Sequence, residues 1–283
     1  MATITAELIK ELRERTGVGM GKCKEALEEA KGDMEAAISL LRKAGMASAV
    51  KKQGRETKEG QVVFKETDAV LAIVEINAET DFVVKNDRFQ EFCKNIVDEI
   101  AETQPATLEA FLQQKYSKDP AVTIDQYRSL IIQTIGENIQ ISRLIVWKKP
   151  KDHSVGIYSH MGGKILTCVE LSAPGEVELA KDIAMHVAAA SPEYLSPKDV
   201  PQEIIEKERE IGRSQVQGKP ANIVDKIIEG KVNAYFDMAC LVKQKYIRDT
   251  SKNIETYVKE RGSEKGKEIH IVRFLRWMVG QAL

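Results

Sequence analysis

Apolar residues recur at helical spacing in three stretches within the first fifty positions. The stretches contain Ile4, Leu8 and Leu12; Cys23, Ala26, Leu27 and Ala30; and Met34, Ala37, Ile38 and Leu41. Breaks at Gly17-Val18-Gly19 and at Gly32 separate them, so the pattern predicts three short helices. Asp33 is placed to cap the third helix, and Gly45 is its predicted end. The polar, glycine-containing residues 51–60 then predict a linker.

The next ninety residues show both strand-like and helix-like patterns. The predicted elements are, in order, strands over 61–65 and 69–77, a helix capped by Asn86 or Asp87, a helix near 107–115, a helix from Thr123 and a strand over 139–147. Gln126 lies three positions after Thr123, which completes a capping box. A mixed α+β unit is therefore expected here.

A second strand pair is predicted over residues 154–161 and 164–171. Gly162-Gly163 between them suits the positive φ angles of a tight turn, and residues 177–190 are predicted to form a helix. Val74-Glu75-Ile76 and Val169-Glu170-Leu171 both close a hairpin before a loop and a helix. This weak repeat is compatible with an internal duplication and equally with two unrelated α+β units.

From Pro201 the chain becomes more charged. One helix is predicted to reach about residue 217, Gly218-Lys219-Pro220 interrupts it, and a second helix follows. Two helices joined by so short a break form an antiparallel hairpin, which could also offer a dimer surface. A short helix near residues 251–260 and a closing strand over 268–279 complete the pattern.

The pattern as a whole predicts an α+β multidomain chain. The predicted parts are an N-terminal three-helix domain (1–54), an N-terminal core subdomain (55–148), the first part of a C-terminal core subdomain (149–200), a helical hairpin or coiled coil (201–245) and a C-terminal helix and strand (246–283).

Composition narrows the class of function. The 42 Lys and Arg residues nearly balance the 43 Asp and Glu residues, which argues against a protein that works mainly by coating phosphate backbones. No apolar run approaches the ~20 residues that span a bilayer, and no secretory signal is recognisable. The four cysteines lie far apart, which favours buried packing residues in a reduced, cytoplasmic protein over metal ligands or disulfides.

No constellation of reactive groups stands out. The four histidines are isolated from nucleophiles and carboxylate motifs, and the glycine-rich phosphate loops and zinc motifs of enzymes are absent from the sequence. No cofactor or metal is therefore expected, and the protein is predicted not to be an enzyme. Basic side chains in the first fifty residues could touch nucleic acid, although a similar number of glutamates favours an ordinary solvated face.

The segment Thr80-Asp81-Phe82-Val83 is unusual because it sets an acidic and an aromatic side chain together on a loop after an apolar strand. Its chemistry alone favours a local role, in which Asp81 begins a turn and Phe82 packs into the nearby core. The alternative is that both side chains are presented to a partner protein.

Two long motifs resemble those of a known protein family. Residues 12–27, LRERTGVGMGKCKEAL, closely resemble the N-terminal signature of bacterial elongation factor Ts, and residues 75–83, EINAETDFV, resemble its second signature. Segments at 135–139 and 184–189 and Gly218-Lys219-Pro220 also look like parts of that family. The resemblance covers essentially the whole chain and thins towards the C-terminus.

The resemblance implies a guanine-nucleotide exchange factor that acts on elongation factor Tu without covalent chemistry. The N-terminal helices would form a ubiquitin-associated-like domain that docks on the GTPase domain of elongation factor Tu, and Asp81 and Phe82 would intrude near its magnesium and phosphate site. The full set of implied contact residues is Thr80, Asp81, Phe82, Val83, Lys10, Arg13, Met20, Lys24, Ile135, Gly136, His160, Ile247 and Arg248.

Two other functions stay open at this point. One is a nucleic-acid or ribosome-associated binding module, and the other is a partner of elongation factor Tu that binds without accelerating exchange. The sequence also leaves open a homodimer through the helical hairpin. It predicts neither a membrane contact nor direct nucleic-acid binding for the exchange factor.

Overall fold

The computed structural model describes residues 4–214 and 221–281, and the chain divides into two compact units. Unit 1 comprises the described residues of Met1–Lys148 together with those of Met278–Leu283, and unit 2 comprises those of Lys149–Trp277. In sequence, unit 2 is therefore an insertion into unit 1, which the chain leaves after Lys148 and enters again at Met278.

Unit 1 begins with three helices at the positions of the three apolar stripes. They are α1 (Ala6–Thr16), α2 (Met20–Glu29) and α3 (Met34–Lys52). Thr5 and Asp33 cap α1 and α3 by accepting a hydrogen bond from a backbone amide in the first turn, which satisfies a donor that the helix leaves unpaired. Leu12, Leu27 and Leu41 meet in a small buried core that joins the three helices.

The predicted end of the third helix at Gly45 is wrong, because α3 continues through Gly45 to Lys52. A Cβ atom at Gly45 would lie 3.2 Å from Oε1 of Gln133 and 3.4 Å from the backbone oxygen of Ser129. The glycine lets α3 approach the helix that carries these residues. Residues 51–60, predicted as a linker, begin within α3 and end within the first strand.

The remainder of unit 1 is a sheet covered by helices. Its elements are β1 (Glu59–Glu66), β2 (Val70–Ala78), α4 (Asp81–Val84), α5 (Asp87–Thr103), α6 (Leu108–Gln113), β3 (Lys115–Tyr116), β4 (Asp119–Thr123), α7 (Ile124–Ile135) and β5 (Ile139–Lys148). The strand order is β1-β2-β5, with antiparallel pairs, and β3 and β4 form a separate hairpin. Asn86 caps α5, and the capping box of Thr123 and Gln126 at α7 is confirmed.

The central strand β2 is buried along its whole length. Val70, Ala72, Val74 and Ile76 contribute to the core shared with α5, since alternate residues of a strand face the same side. On the other face Glu75 is buried, and its carboxylate accepts hydrogen bonds from Nε of Arg143 at 2.7 Å and from the backbone amide of Gly280 at 2.9 Å. These partners offset the cost of burying a charge.

Unit 2 contains a second sheet. Its elements are β6 (Ser154–His160), β7 (Ile165–Leu171), α8 (Val177–Ala190), α9 (Gln202–Ser214), α10 (Ala221–Ala239), β8 (Lys245–Tyr246), β9 (Asp249–Asn253), α11 (Ile254–Glu264) and β10 (Ile271–Met278). The strand order is β10-β7-β6, and α8 packs against β6 and β7. The helix expected near residues 251–260 begins at Ile254 instead, because the residues before it form β9. The predicted break at Gly218-Lys219-Pro220 lies outside the described residues.

The two sheets are built by the same succession of elements. Each has a hairpin, a covering helix, a two-stranded hairpin, a second helix and a third strand that pairs with the second strand of the first hairpin, and unit 2 has α9 and α10 in addition. The repeated side-chain features are the stacked pairs Tyr116–Tyr127 and Tyr246–Tyr257, with ring centroids 4.6 and 4.4 Å apart, and the ion pairs Glu75–Arg143 and Glu170–Arg273. Shared detail of this kind favours duplication over two unrelated units.

Candidate protein-binding site

Phe82 is the most exposed large apolar side chain among the described residues, with 81% of its surface accessible. It lies on α4, a single turn in which Val83 is buried and Val84 packs against the core. The expectation that Phe82 itself enters the core is therefore wrong. The two valines take the inward side of the turn, and Phe82 is left pointing to solvent on a fixed backbone.

Asp81, next to Phe82, is also exposed. Its Oδ2 accepts a hydrogen bond from Nζ of Lys85 at 2.9 Å, and this bond together with the charge of Asp81 raises the pKa of Lys85. Exposed pairs between positions i and i+4 contribute little to stability. Asp81 can therefore exchange Lys85 for a group on a partner protein at small cost.

A shallow groove of about 420 Å³ lies beside Phe82. Its lining residues are Arg13, Gly17, Gly19, Phe82, Val83, Asn86, Arg88, Thr134 and Ile135. The guanidinium of Arg88 donates a hydrogen bond to the backbone oxygen of Gly17, which has φ +66° at the end of α1. The groove thus brings together Arg13, Phe82, Val83 and Ile135 from the predicted contact set, and adds Arg88, which the sequence did not single out.

The other predicted contacts of the N-terminal helices are surface residues. Met20, the first residue of α2, is 50% exposed. Lys10 and Lys24 are exposed and form pairs with Glu14 and Glu28 one helical turn away. Lys10 lines a second groove, of about 520 Å³, together with Arg13 and Arg88. Both grooves thus share basic residues of α1 and α5.

His160 lies in unit 2 at the end of β6, where its Nδ1 is 3.0 Å from the hydroxyl of Tyr158. The residue after it, Met161, is 72% exposed and has φ +50°, which is uncommon for a residue with a side chain. The sequence predicted a turn here but did not single out Met161. The tip of the β6–β7 hairpin in unit 2 therefore presents one large apolar side chain to solvent.

Ile247 and Arg248 lie in the turn between β8 and β9 of unit 2. The guanidinium of Arg248 is 2.8 Å from Oδ1 of Asp182, and Ile247 is partly exposed. Buried His186 supports this turn, because its Nδ1 accepts a hydrogen bond from the amide of Ile247 at 3.4 Å. Its Nε2 lies 3.0 Å from Oε1 of Gln244. These contacts suit a neutral ring.

We expect this turn to make unfolding sensitive to acid. Burial lowers the pKa of His186, so the unfolded chain binds the proton more readily and the free energy of unfolding falls as the pH drops below about 6.5. Urea midpoints at pH 7.5 and 5.5 should differ more for the unaltered protein than for His186→Gln. If the urea midpoint falls equally in both proteins, groups other than His186 cause the acid sensitivity.

The four cysteines are buried and are not joined in disulfide bonds. Burial raises the pKa of Cys240 to about 11, so its thiol is protonated near neutrality and is a poor nucleophile. Within residues 4–214 and 221–281, no group of three or more His, Cys, Asp or Glu side chains is arranged to hold a metal ion. In the same residues, no helix is both long and apolar enough to cross a membrane.

Comparison with known proteins gives full-length matches. The family model for elongation factor Ts matches residues 79–281. Elongation factor Ts of Protochlamydia amoebophila is 63% identical over 282 residues, covering 99% of this chain and 100% of that protein. The proteins of the same name from Chlamydia pneumoniae and Chlamydia muridarum are 43% and 42% identical over 281 residues, with the same coverage. The matches to the three relatives extend over the exposed turn and the groove of unit 1 and over the β6–β7 and β8–β9 turns of unit 2.

Proposed function

This chain belongs to the elongation factor Ts family of translation elongation factors, and from that premise we propose that it binds elongation factor Tu in its GDP-bound form and promotes GDP release. The observation that carries the proposal is the exposure of Phe82 on a turn in which Val83 is buried and Val84 packs against the core. Such a side chain can enter a partner without first leaving a core of its own. GTP would then bind the emptied site.

Phe82 and Asp81 have complementary tasks in this proposal. Phe82 wedges into the GTPase domain and supplies apolar contact, while Asp81 competes for groups that hold the magnesium ion. Magnesium and the backbone amides of a phosphate loop secure the β-phosphate, so displacing either one loosens GDP. No covalent step is needed. The factor must bind the nucleotide-free state more tightly than the GDP-bound state, because equal affinity would shift nothing.

The remaining predicted residues would be anchors. Lys10, Arg13, Met20 and Lys24 would dock the N-terminal helices, as a ubiquitin-associated-like domain, on the GTPase domain. Ile135, Gly136 and His160 would line the core contacts near the partner's phosphate loop and its second domain, and Ile247 and Arg248 would belong to a C-terminal contact. Rigid anchors favour binding because little conformational entropy is lost on docking. The five-part domain division, a homodimer through α9 and α10, and a cytoplasmic location belong to the same proposal.

Nucleic-acid binding is the weaker alternative. On α1 and α2, the basic side chains of Lys10, Arg15 and Lys24 each have a glutamate one helical turn away. Paired charges of this kind give little of the clustered positive potential that attracts phosphate backbones.

Stopped-flow measurement tests the proposal directly. Fluorescent GDP bound to elongation factor Tu is mixed with excess unlabelled GDP, with and without this protein. We expect its release to accelerate and to saturate as the protein concentration rises. Binding without acceleration would leave only a partner that does not exchange nucleotide, and would overturn the proposal.

A further inference from the structure

The strand pair β2–β5 ends at the base of the turn that carries Phe82. Ala78 and Ile139 form the last backbone pair of the ladder. Beyond it, side-chain carboxylates take over the bonding between the two segments. Oε1 of Glu79 accepts a hydrogen bond from the backbone amide of Asn138 at 2.6 Å.

Glu137 makes the reciprocal connection. Its Oε2 accepts a hydrogen bond from the backbone amide of Thr80 at 3.1 Å, and its Oε1 accepts one from the Thr80 hydroxyl at 2.8 Å. Both carboxylate oxygens therefore hold one residue, which lies 57 positions earlier in the chain. Hydrogen bonds to an ionised acceptor are roughly twice as strong as bonds between neutral groups.

Thr80 is the residue that starts α4. Its hydroxyl oxygen also accepts a hydrogen bond from the amide of Val83 at 3.4 Å, which caps the turn. By fixing the hydroxyl and the amide of Thr80, Glu137 fixes where the turn begins. Phe82 follows only two residues later, so the direction in which it points depends on this cap.

The segment that carries Glu137 is itself well supported. Gly136 ends α7 with φ +94°, a left-handed conformation that costs a glycine little. Asn138 is almost fully buried, and its side-chain amide donates a hydrogen bond to the backbone oxygen of Arg55 at 2.9 Å. Glu137 thus extends from a fixed backbone.

We propose that Glu137 is a positioning residue for nucleotide exchange: its carboxylate holds Thr80 so that Phe82 is already oriented before elongation factor Tu binds. The inference rests on the proposed exchange function. Because the turn is already ordered before binding, less conformational entropy is lost when the partner docks.

The test is the rate of GDP release from elongation factor Tu as a function of the concentration of full-length Glu137→Ala. We expect the maximal rate to fall at least about fivefold, while the half-saturating concentration changes less, because Arg13 and the other anchors remain. Adding Phe82→Ala to Glu137→Ala should reduce the rate of GDP release by a much smaller factor than Phe82→Ala does in the unaltered protein. The reason is that both changes act through the orientation of the same side chain.

Graded variants separate positioning from folding. Glu137→Gln keeps one oxygen that can accept a hydrogen bond from Thr80 and should have an intermediate rate. Thr80→Val removes the hydroxyl that donates to Glu137 and should lower the maximal rate, whereas Thr80→Ser keeps that hydroxyl and should retain more of the rate than Thr80→Val. These two threonine variants remain informative if Glu137→Ala folds poorly.

Glu99→Ala is the matched control. Glu99 is a buried carboxylate at the far end of α5 that accepts hydrogen bonds from Gln114 and from the amide of Ser117. Its loss should lower the melting temperature and leave the maximal rate per folded molecule unchanged. Equal maximal rates for Glu137→Ala and the unaltered protein would overturn the positioning role, as would full additivity with Phe82→Ala. Failure of the unaltered protein to accelerate release would instead overturn the exchange function.

Discussion

Replacing Phe82 by alanine should slow the release of GDP from elongation factor Tu by about tenfold or more, at a protein concentration below saturation. A large aromatic anchor at a protein interface typically contributes about 2 kcal/mol or more, and 1.4 kcal/mol corresponds to a factor of ten. The fold should be unaffected, because the ring is 81% exposed and packs little of its surface inside the protein. Stopped-flow rates and a thermal melt on the same sample measure both quantities.

Phe64→Ala provides the matched control for this variant. Phe64 is a partly exposed phenylalanine of the same unit, on strand β1 rather than on the turn. It should leave the exchange rate within about twofold of the unaltered protein, since rim and surface truncations are usually close to neutral. A Phe82→Ala protein that melts much earlier but exchanges normally per folded molecule would mean that Phe82 serves the fold.

Gly156→Ala should be the most damaging single-methyl change for stability. A Cβ atom at this position on β6 would lie 2.1 Å from the backbone nitrogen of Lys181 and 2.3 Å from the carbonyl carbon of Ala180, both on α8. Backbone atoms cannot rotate away, so α8 would have to lift from the sheet. We expect a loss of about 3 kcal/mol, at the upper end of the usual cost of overpacking. Urea unfolding at neutral pH measures it.

Gly230→Ala is the corresponding control in unit 2. Gly230 is exposed on α10, and a Cβ atom there would meet nothing within 4 Å. Alanine favours a helix over glycine by up to about 1 kcal/mol, so stability should stay level or rise. If both glycine variants unfold at the same urea concentration, the close approach of β6 and α8 does not limit stability.

Local chemistry was sufficient to predict many element boundaries. Asn86 and Thr123 cap helices where the sequence places them, because a cap is a contact between residues two or three positions apart. Gly45 was misinterpreted for the opposite reason. Gly45 lets α7 pack closely against α3. That contact joins residues more than eighty positions apart, so the spacing of apolar residues within α3 does not reveal it.

The hairpins β3–β4 and β8–β9 were missed because each includes a strand of only two residues, which is too short to show alternation. A signal was nevertheless present. Gln-Lys-Tyr occurs at residues 114–116 and again at 244–246. In both copies the tyrosine stacks on a second tyrosine of the following helix. Alignment of these two triplets would have strengthened the case for duplication.

For the candidate site, the sequence identified Asp81 and Phe82 but left the direction of Phe82 undecided. Three apolar residues in a row offer no periodicity within one helical turn, so only the structure shows that Val83 is buried and that Val84 is partly buried. Glu137 was not singled out because its partner Thr80 is distant in sequence. Residue type alone cannot distinguish a carboxylate that accepts a hydrogen bond from a backbone amide from one that is solvated.

The return of the chain to unit 1 at Met278 has a consequence for synthesis on the ribosome. Buried Glu75 receives one of its hydrogen bonds from Gly280, and Arg143 donates one to the backbone oxygen of Met278. Both bonds have to wait until more than 130 further residues have been translated. In a nascent chain the Glu75 carboxylate can therefore pair with Arg143 as soon as β5 has formed, but it gains its Gly280 partner only after the inserted unit has emerged.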